Sequence, residues 1–370
     1  MLTELPMIPR VIASLILAFL ITFLLSPLVK SFAYKVGAID VPKDKRRMHS
    51  TPIPRLGGLG IFVGFLFTIL LFEPMTEQTK GILLGAIVIV ILGVVDDITP
   101  LNALFKFCVQ IVAALIPVLC GVRISVLSNP NIFSNNPWWT LQGLSIPITV
   151  FWIVAITNSV NIIDGLDGLA AGVSAISSAT FLAIALHIPE PTVSVSCAAL
   201  LGACAGFLPY NLNPAKMFMG DTGSTFLGYI LATISIQGMF KMYAIVSFFV
   251  PFLVLGLPLF DITFAVLRRL AHGQNPMKAD RGHVHHRLID MGLNQKQAVA
   301  TLYIVTTFLG LGAVVLTTSG AVKALIVLAA LFVVGLVTFR ILFSRELEST
   351  EEKHRQQEKE DTAKGENENA

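Results

Sequence analysis

The sequence predicts an all-α polytopic membrane protein with about eleven transmembrane helices. Of its 370 residues, 54% are hydrophobic and only 13% are charged, and the mean hydropathy is +0.76. A soluble domain carries about 25% charged residues, so this chain has too few of them to cover a surface in water. Because the net charge is only +3, the distribution of charge along the chain is more informative than its total.

The apolar segments are separated by proline, glycine, asparagine and charged residues, which are typical of turns. A bilayer core requires about 20 apolar residues per helix. The predicted spans are residues 8–30, 56–72, 80–95, 103–121, 146–162, 168–187, 193–209, 222–238, 243–266, 297–317 and 321–343. We therefore assign residues 1–345 to one transmembrane domain. Residues 346–370 are rich in Glu, Lys, Gln and Asn, and we expect a disordered cytosolic tail there.

The distribution of lysine and arginine predicts the orientation. If residues 31–55 are cytoplasmic, alternating spans place 21 of the 26 basic residues inside and 5 outside. Cytoplasmic loops carry the excess of basic residues in membrane proteins. We therefore predict an N-terminus outside, a C-terminus in the cytoplasm, and a multi-pass location in the cell (inner or plasma) membrane.

Two adjacent carboxylates, Asp96 and Asp97, close the third predicted span. Ionised side chains in or beside a membrane span are functional candidates, because placing a charge in the bilayer core is costly. Two neighbouring carboxylates repel each other, so they require a cation, a proton or a basic partner. Lys106 begins the fourth span, and a short turn would bring it back towards the pair. The alternative is an ordinary polar helix end.

A second polar segment has Asn161, Asp164 and Asp167 at every third position. On a helix, Asn161 and Asp164 share a face. Gly165 and Gly168 predict a break in the backbone, which would bring Asp167 back to the same site. A flexible turn is the alternative, but it does not explain so many amides and carboxylates.

The third segment is Phe218-Met-Gly-Asp221, directly before an apolar helix. Asp221 has two interpretations that the sequence leaves open. It could cap the helix N-terminus, or its carboxylate could bind Mg²⁺, which prefers oxygen ligands.

The fourth segment contains three histidines within four residues, His283, His285 and His286. The spacing suggests zinc, but no cysteine accompanies it and a tetrahedral site would be strained. Arg281 and Arg287 make the segment cationic, so phosphate binding or proton transfer is the favoured hypothesis. All these segments lie on the cytoplasmic side of the predicted topology.

The first cytoplasmic loop and the ninth span add further candidates. Arg47 and His49 belong to the basic loop, whose charge is equally explained by the positive-inside rule. His49, Pro54 and Gly57-Gly58 are less readily explained in that way. Asp261 lies near the inner end of the ninth span, where helix positioning and a role in the site are equal alternatives.

Together these segments resemble the polyprenyl-phosphate N-acetylhexosamine-1-phosphate transferase family, over roughly residues 10–340. Members transfer a sugar-1-phosphate from a UDP-sugar to a membrane polyprenyl phosphate and release UMP. Five signatures carry the resemblance in order: Arg46–Gly58, Asp96-Asp97, Asn158–Gly168, Phe218-Met-Gly-Asp221 and His283-Val-His285-His286. Together with Pro258-Leu-Phe-Asp261, they are most similar to bacterial undecaprenyl-phosphate GlcNAc-1-phosphate transferases.

The resemblance implies a role for each matching residue. Mg²⁺, with Mn²⁺ as the alternative, would be held by Asn161 and Asp221. The implied catalytic residues are Asp96, Asp97, Lys106, Asp164, His283, His285 and His286. The implied substrate contacts are Asp167, near the uracil, together with Arg281, Arg47 and His49. The expected partners are UDP-GlcNAc, undecaprenyl phosphate, membrane lipid and, as an open alternative to a monomer, a second copy of the chain; no nucleic acid is expected.

Other interpretations stay open at this stage. A phospho-MurNAc-pentapeptide transferase would share most motifs, although that branch typically has ten spans and three consecutive histidines, where this chain has Val284. An ion-coupled transporter also uses membrane carboxylates, but near the midplane. Direct attack by the lipid phosphate is the favoured mechanism, and a covalent aspartyl-phosphate route is the alternative.

Overall fold

The computed structural model describes residues 2–41, 52–128, 138–188, 190–239, 246–271, 273 and 283–319, with a few residues between 322 and 329. The chain divides into two compact units at residue 320, and every element below belongs to the first unit. The predicted span 321–343 and the predicted tail 346–370 lie almost entirely outside the described residues, so both stay predictions.

The described residues form a bundle of helices with two small hairpins. The helices are α1 (Met7–Val36), α2 (Gly58–Phe72), α3 (Glu77–Ile98), α4 (Ala103–Leu119), α5 (Ser145–Ile163), α6 (Leu169–His187), α7 (Pro191–Asn211), α8 (Gly220–Ile234), α9 (Val246–Val254), α10 (Gly256–Ala271), α11 (Val284–Asp290) and α12 (Gln295–Ser319). The strands are β1 (Ile39–Asp40), β2 (Ile53–Pro54), β3 (Val126–Ser128) and β4 (Trp138–Thr140). Each hairpin is antiparallel, β1 with β2 and β3 with β4.

The first ten predicted spans coincide with helices, with one correction. The ninth span was predicted as one helix, and the structure divides it at Leu255 into α9 and α10. Gly256 and Pro258 follow this break, and proline cannot donate the backbone hydrogen bond that would continue the helix from Val254. The two hairpins also add strands to a chain that was predicted as all-α.

Within the described residues, six helical segments are long and apolar enough to cross a membrane. They are Met7–Val36, Glu77–Ile98, Gln142–Ile163, Leu169–His187, Pro191–Asn211 and Gln295–Ser319. The apolar helices α2 and α4 are shorter. The protein is therefore a polytopic, mainly helical membrane protein, whereas the number of eleven spans and the orientation of the termini stay predictions.

Helix α8 lies at the centre of the bundle, where every side chain from Thr222 to Ile234 is buried. It packs against α3 and α5, and α7 packs against α1 and α6. By contrast, α1 exposes Ile8, Ile12 and Ile16, each at least 50% exposed, on one face. An exposed aliphatic face of this length indicates contact with lipid, because water would disfavour it.

Glycines allow the closest approaches between these helices. A Cβ atom at Gly93 of α3 would lie 2.4 Å from the Thr222 Cα atom of α8, and one at Gly202 of α7 would lie 2.2 Å from the Leu15 carbonyl oxygen of α1. Small residues at helix contacts are the usual solution in membranes, where packing rather than water drives association. The contact between α3 and α8 matters most because both helices carry residues of the site described below.

We predict that Gly93→Ala destabilises the protein by about 1–3 kcal/mol, the usual cost of overpacking a dense interior. The added methyl group must push the first turn of α8 away from α3. Thermal unfolding in detergent measures the effect. Gly143→Ala is the control, because a Cβ atom at Gly143 meets nothing within 4 Å. Equal melting temperatures for the two variants would show that the helix contact is not as close as described.

Candidate active site

A cavity of about 350 Å³ opens at the end of the bundle where α3 and α5 finish and α8 begins. Its lining residues are Asp40, Arg55, Asp97, Asn161, Asp164, Gly165, Leu166, Asp167, Asn211, Phe218, Gly220, Asp221, His286 and Gln295. Five of them are carboxylates and one is an arginine. Because its carboxylates outnumber its basic groups, the cavity favours a ligand that carries a bound cation.

Asp97 holds the start of α8. Its Oδ1 atom accepts a hydrogen bond from the backbone N–H of Asp221 at 3.0 Å. Its Oδ2 atom accepts bonds from the backbone N–H of Thr222 at 3.0 Å and from the Thr222 hydroxyl at 2.6 Å. The first N–H groups of a helix have no partner within the helix, so a carboxylate from α3 satisfies them and favours the positive end of the helix dipole. Asp97 is only 3% exposed.

Lys106 bridges two further carboxylates, those of Asp96 and Asp221. Its Nζ atom donates to Asp96 Oδ2 at 2.9 Å and to Asp221 Oδ2 at 2.9 Å. Asp96 also accepts a hydrogen bond from the Leu101 backbone N–H at 2.7 Å, within the turn between α3 and α4. The predicted return of Lys106 towards the carboxylate pair is therefore observed, but it reaches Asp96 and Asp221 rather than both members of the pair.

The predicted break after α5 is also observed. The helix ends at Ile163, and Gly168 has φ of 80°, a conformation that favours glycine. The side chains of Asn161 and Asp164 line the cavity and make no hydrogen bond with any other described residue. Burial, together with the nearby carboxylates of Asp221 and Asp97, raises the pKa of Asp164 well above its usual range.

Asp167 lines the same cavity, but one of its oxygens is already occupied. Its Oδ2 atom accepts hydrogen bonds from the Asn213 side chain at 2.9 Å and from the Ala215 backbone at 3.0 Å. Asn213 also donates to Gln295 Oε1 at 2.7 Å. The carboxylate thus holds the loop that precedes Phe218, and one oxygen remains for a substrate contact.

The segment before α2 pairs with the segment before α8. Phe218 donates to the Pro54 carbonyl at 2.9 Å, and Gly57 donates to the Phe218 carbonyl at 3.0 Å. A Cβ atom at Gly58 would lie 2.1 Å from the Gly223 nitrogen. Pro54 and the glycine pair therefore have a structural role, because they hold this segment against the start of α8. The positive-inside rule did not account for their presence.

Arg55 is a site residue that the sequence prediction missed. It lines the cavity and donates to the backbone carbonyl of Asp97 from Nε at 3.2 Å and from Nη2 at 3.1 Å. Its only sequence signal was its position two residues before the glycine pair, within the Arg46–Gly58 signature. Arg47, His49 and Arg281, which were predicted as substrate contacts, lie outside the described residues, so their roles stay predictions.

The three histidines occupy different environments. His286 lines the cavity. His285 is 2% exposed and packs against the backbone of Gly165, where a Cβ atom would lie 2.3 Å from its Nε2 atom. His283 Nδ1 lies 3.0 Å from Asp261 Oδ2. The structure therefore brings one histidine to the cavity and places the other two behind it.

Asp261, for which the sequence left two roles open, anchors this histidine segment. Its Oδ1 atom accepts a hydrogen bond from the Val284 backbone N–H at 2.8 Å, beside the His283 contact. The carboxylate is buried at 2% exposure. Because both of its oxygens are bonded to the start of α11, Asp261 positions the segment and does not face the cavity.

The donor atoms of the cavity fit Mg²⁺. The side chains of Asn161, Asp164 and Asp221 supply only oxygen ligands, and Asn161 and Asp164 have no competing hydrogen bonds within the described part of the chain. Among the described residues, no three carboxylates, histidines or cysteines already surround one metal position. Mg²⁺ requires only one or two protein carboxylates, because phosphates and water complete its coordination. The fit adds Asp164 to the two predicted ligands.

The bundle and its cavity define a polytopic membrane protein whose acidic, lysine-containing site is suited to bind phosphates with a divalent cation. The chain matches the model of the family described as "Glycosyl transferase family 4" over residues 79–239.

Relatives match over most of the chain. It is 38% identical to the "Probable undecaprenyl-phosphate N-acetylglucosaminyl 1-phosphate transferase" of Bacillus subtilis, over 83% of this chain and 85% of the relative. It is 33% identical to the "Decaprenyl-phosphate N-acetylglucosaminephosphotransferase" of Mycobacterium tuberculosis, over 89% and 88%. It is 28% identical to the "Undecaprenyl-phosphate alpha-N-acetylglucosaminyl 1-phosphate transferase" of Escherichia coli, over 80% and 81%. The chain therefore belongs to glycosyl transferase family 4, which confirms the resemblance drawn from its motifs.

We predict that His285 makes stability depend on pH. Burial, and then the neighbouring His286, lowers the pKa of His285 to about 4. An unfolded histidine titrates near pH 6.5, so only the unfolded state gains a proton between about pH 6.5 and 4, and the folded state loses stability as the pH falls. At pH 5 the loss from this residue is about 2 kcal/mol.

Thermal unfolding of the wild type and His285→Gln between pH 7 and 5 measures this contribution. The wild type should lose more stability than the variant as the pH falls. His187→Gln is the control, since His187 is exposed at the end of α6. Parallel curves for the wild type and His285→Gln would contradict the assignment.

Proposed function

We propose that the protein transfers GlcNAc-1-phosphate from UDP-GlcNAc to undecaprenyl phosphate in a Mg²⁺-dependent reaction. The products are undecaprenyl-pyrophosphoryl-GlcNAc and UMP. Such a reaction is the first membrane step in the synthesis of cell-wall glycopolymers of the teichoic acid or O-antigen type. The names of the relatives support the polyprenyl phosphate and the GlcNAc phosphate, and the UDP carrier rests on the motif resemblance.

One observation carries the proposal: Lys106 lies between Asp96 and Asp221 beside an acidic cavity at the end of the apolar helices. A lipid phosphate lies at this depth in a membrane, and a water-soluble nucleotide reaches the same depth from solution. The lysine provides positive charge for phosphate oxygens, while the carboxylates keep its ammonium group in place.

The proposed reaction is a single displacement. An oxygen of the undecaprenyl phosphate forms a bond to the β-phosphorus of UDP-GlcNAc. The bond from that phosphorus to the oxygen bridging the two phosphates breaks, and UMP leaves with the electron pair. Phosphoryl transfer depends mainly on positioning and on stabilisation of negative charge, which is what a cavity with fixed cations supplies.

Each residue has a proposed task in this displacement. Lys106, Arg55 and His286 bind phosphate oxygens. Asp96 orients Lys106 and, when the lysine moves towards substrate, orients or deprotonates the lipid phosphate. Asp97 holds the start of α8, so its contribution is to position Asp221. Mg²⁺, held by Asp221 with Asn161 and Asp164, would neutralise charge on the pyrophosphate.

Several finer features belong to the same proposal. The cavity faces the cytoplasm of the cell membrane, as the distribution of basic residues predicts. A homodimer and the exact number of spans stay predictions. A covalent aspartyl-phosphate route remains the alternative to direct displacement. Transport is disfavoured because the carboxylates gather at the ends of helices rather than at their centres.

We predict that purified protein releases UMP from UDP-GlcNAc only when both undecaprenyl phosphate and Mg²⁺ are supplied, and that EDTA stops the release. Lys106→Met should lower the rate by about a hundredfold or more, the usual effect of removing one electrostatic contact to the transition state. Lys80→Met is the control, because Lys80 pairs with Glu77 at the opposite end of α3. Full activity in Lys106→Met would remove the observation on which the proposal rests.

We also predict the donor. In a panel of UDP-sugars that includes UDP-GalNAc and UDP-MurNAc-pentapeptide, UDP-GlcNAc should give the fastest release of UMP. Mass spectrometry of the lipid product should show one added GlcNAc phosphate. A preference for UDP-MurNAc-pentapeptide would identify the peptidoglycan branch instead and would overturn the donor assignment.

A further inference from the structure

A second cavity, of about 320 Å³, lies at the other end of the bundle. It is formed beside Glu73, just before α3, whereas Asp96 and Asp97 lie at the far end of the same helix. A helix of this length spans about 33 Å. The second cavity is therefore separated from the acidic site by roughly the thickness of a bilayer core.

Glu73 is the carboxylate of this cavity. It is only 4% exposed, and its Oε1 atom accepts a hydrogen bond from the Ser196 hydroxyl of α7. Its other oxygen has no hydrogen-bond partner among the described residues. Burial raises the pKa of Glu73 to about 8, and neither Ser196 nor the more distant Arg10 offsets that rise. The raised pKa shows that, in the part of the chain that the structure describes, no positive group lies close enough to stabilise the charged carboxylate.

Arg10 of α1 also lines this cavity. Its Nη1 atom donates to the Thr3 carbonyl at 2.7 Å. Its Nε atom is buried and has no hydrogen-bond partner within the described part of the chain. Arg10 and Glu73 do not form an ion pair within 4 Å of each other, although they face one cavity. Opposite charges attract strongly in a low-dielectric environment, so a separation by an open space suggests that a ligand fits between them.

The remaining walls indicate where the ligand enters. Phe72 and Val195 are buried, while Pro74, in the loop before α3, and Pro191, the first residue of α7, are exposed at the rim. The rim lies at the ends of membrane-crossing helices, which is the depth of phospholipid head groups. A head group reaches this cavity without leaving the membrane.

We propose that this second cavity binds the phosphoethanolamine head group of a membrane phospholipid, with its phosphate on Arg10 and its ammonium group on Glu73. Arginine suits phosphate because its planar donors match two phosphate oxygens. The ammonium group supplies both the positive charge and the N–H donor that Glu73 lacks. A head group with an anion alone would face the Glu73 carboxylate, and a choline head group has no N–H to donate.

The experiment uses the full chain in phosphatidylcholine vesicles to which phosphatidylethanolamine or phosphatidylglycerol is added in increasing fractions. Lipids retained by the purified protein are counted by native mass spectrometry, and the melting temperature is measured in the same vesicles. We expect retention of phosphatidylethanolamine and a melting temperature that rises with its fraction. Equal retention of phosphatidylglycerol or phosphatidylcholine would overturn the proposal.

Glu73→Gln keeps the shape of the side chain and its bond to Ser196, but the amide cannot become a carboxylate when an ammonium group binds beside it. The variant should bind phosphatidylethanolamine about tenfold more weakly, the change expected from one charge-assisted hydrogen bond. Glu77→Gln is the matched control, because Glu77 lies at the same end of α3 and pairs with Lys80 on the surface. Arg10→Gln should weaken retention as well. An unchanged preference in Glu73→Gln would contradict the proposal.

Two further measurements keep the outcome unambiguous. Glu73→Gln should melt in pure phosphatidylcholine at or above the wild-type temperature, since burial disfavours the charged carboxylate that the neutral amide replaces, and this shows that the variant folds. Soluble phosphoethanolamine added to phosphatidylcholine vesicles should not reproduce the rise in melting temperature. A full rise with the soluble compound would identify a water-soluble ligand and overturn the lipid assignment.

Discussion

The capping of α8 by Asp97 is the interaction on which the acidic site depends. A buried carboxylate on α3 accepts hydrogen bonds from the first residues of α8, and these backbone groups would otherwise be unsatisfied at the helix start. Because the cap fixes the first turn of α8, it also fixes the carboxylate of Asp221. Lys106 can then bridge Asp96 and Asp221 at 2.9 Å to each.

In the described part of the chain, the basic side chains of the site have bonded partners, whereas some of its oxygen-bearing side chains do not. Lys106 and Arg55 are bound to carboxylate or carbonyl oxygens, whereas Asn161 and Asp164 face the cavity without a partner among the described residues. An uncompensated carboxylate in a partly buried site is costly, so the arrangement is stable only with a proton or a cation. The same excess of oxygen ligands makes the cavity suited to the metal-bound pyrophosphate of the proposed reaction.

The two ends of the bundle solve the problem of buried charge in different ways. At the acidic end, hydrogen bonds from backbone and side chains surround Asp97. At the other end, Glu73 and Arg10 line one cavity without forming an ion pair, and among the described residues their side chains bond only to Ser196 and to the Thr3 carbonyl. Charged side chains that are bonded to one another form a rigid site. Charged side chains that are not paired with each other can bind a group from outside the protein.

The sequence by itself determined the membrane class, the positions of the first ten helical segments and the order of the motifs. These features depend on local composition and backbone preference, as at Gly168, where the break after α5 follows from a conformation that glycine favours. Only the tertiary structure decided that Asp97 serves α8, that Lys106 reaches Asp221, and that Arg55 lines the cavity. A side chain chooses its hydrogen-bond partners among groups that are close in space, and helices distant in sequence come together only when the bundle packs.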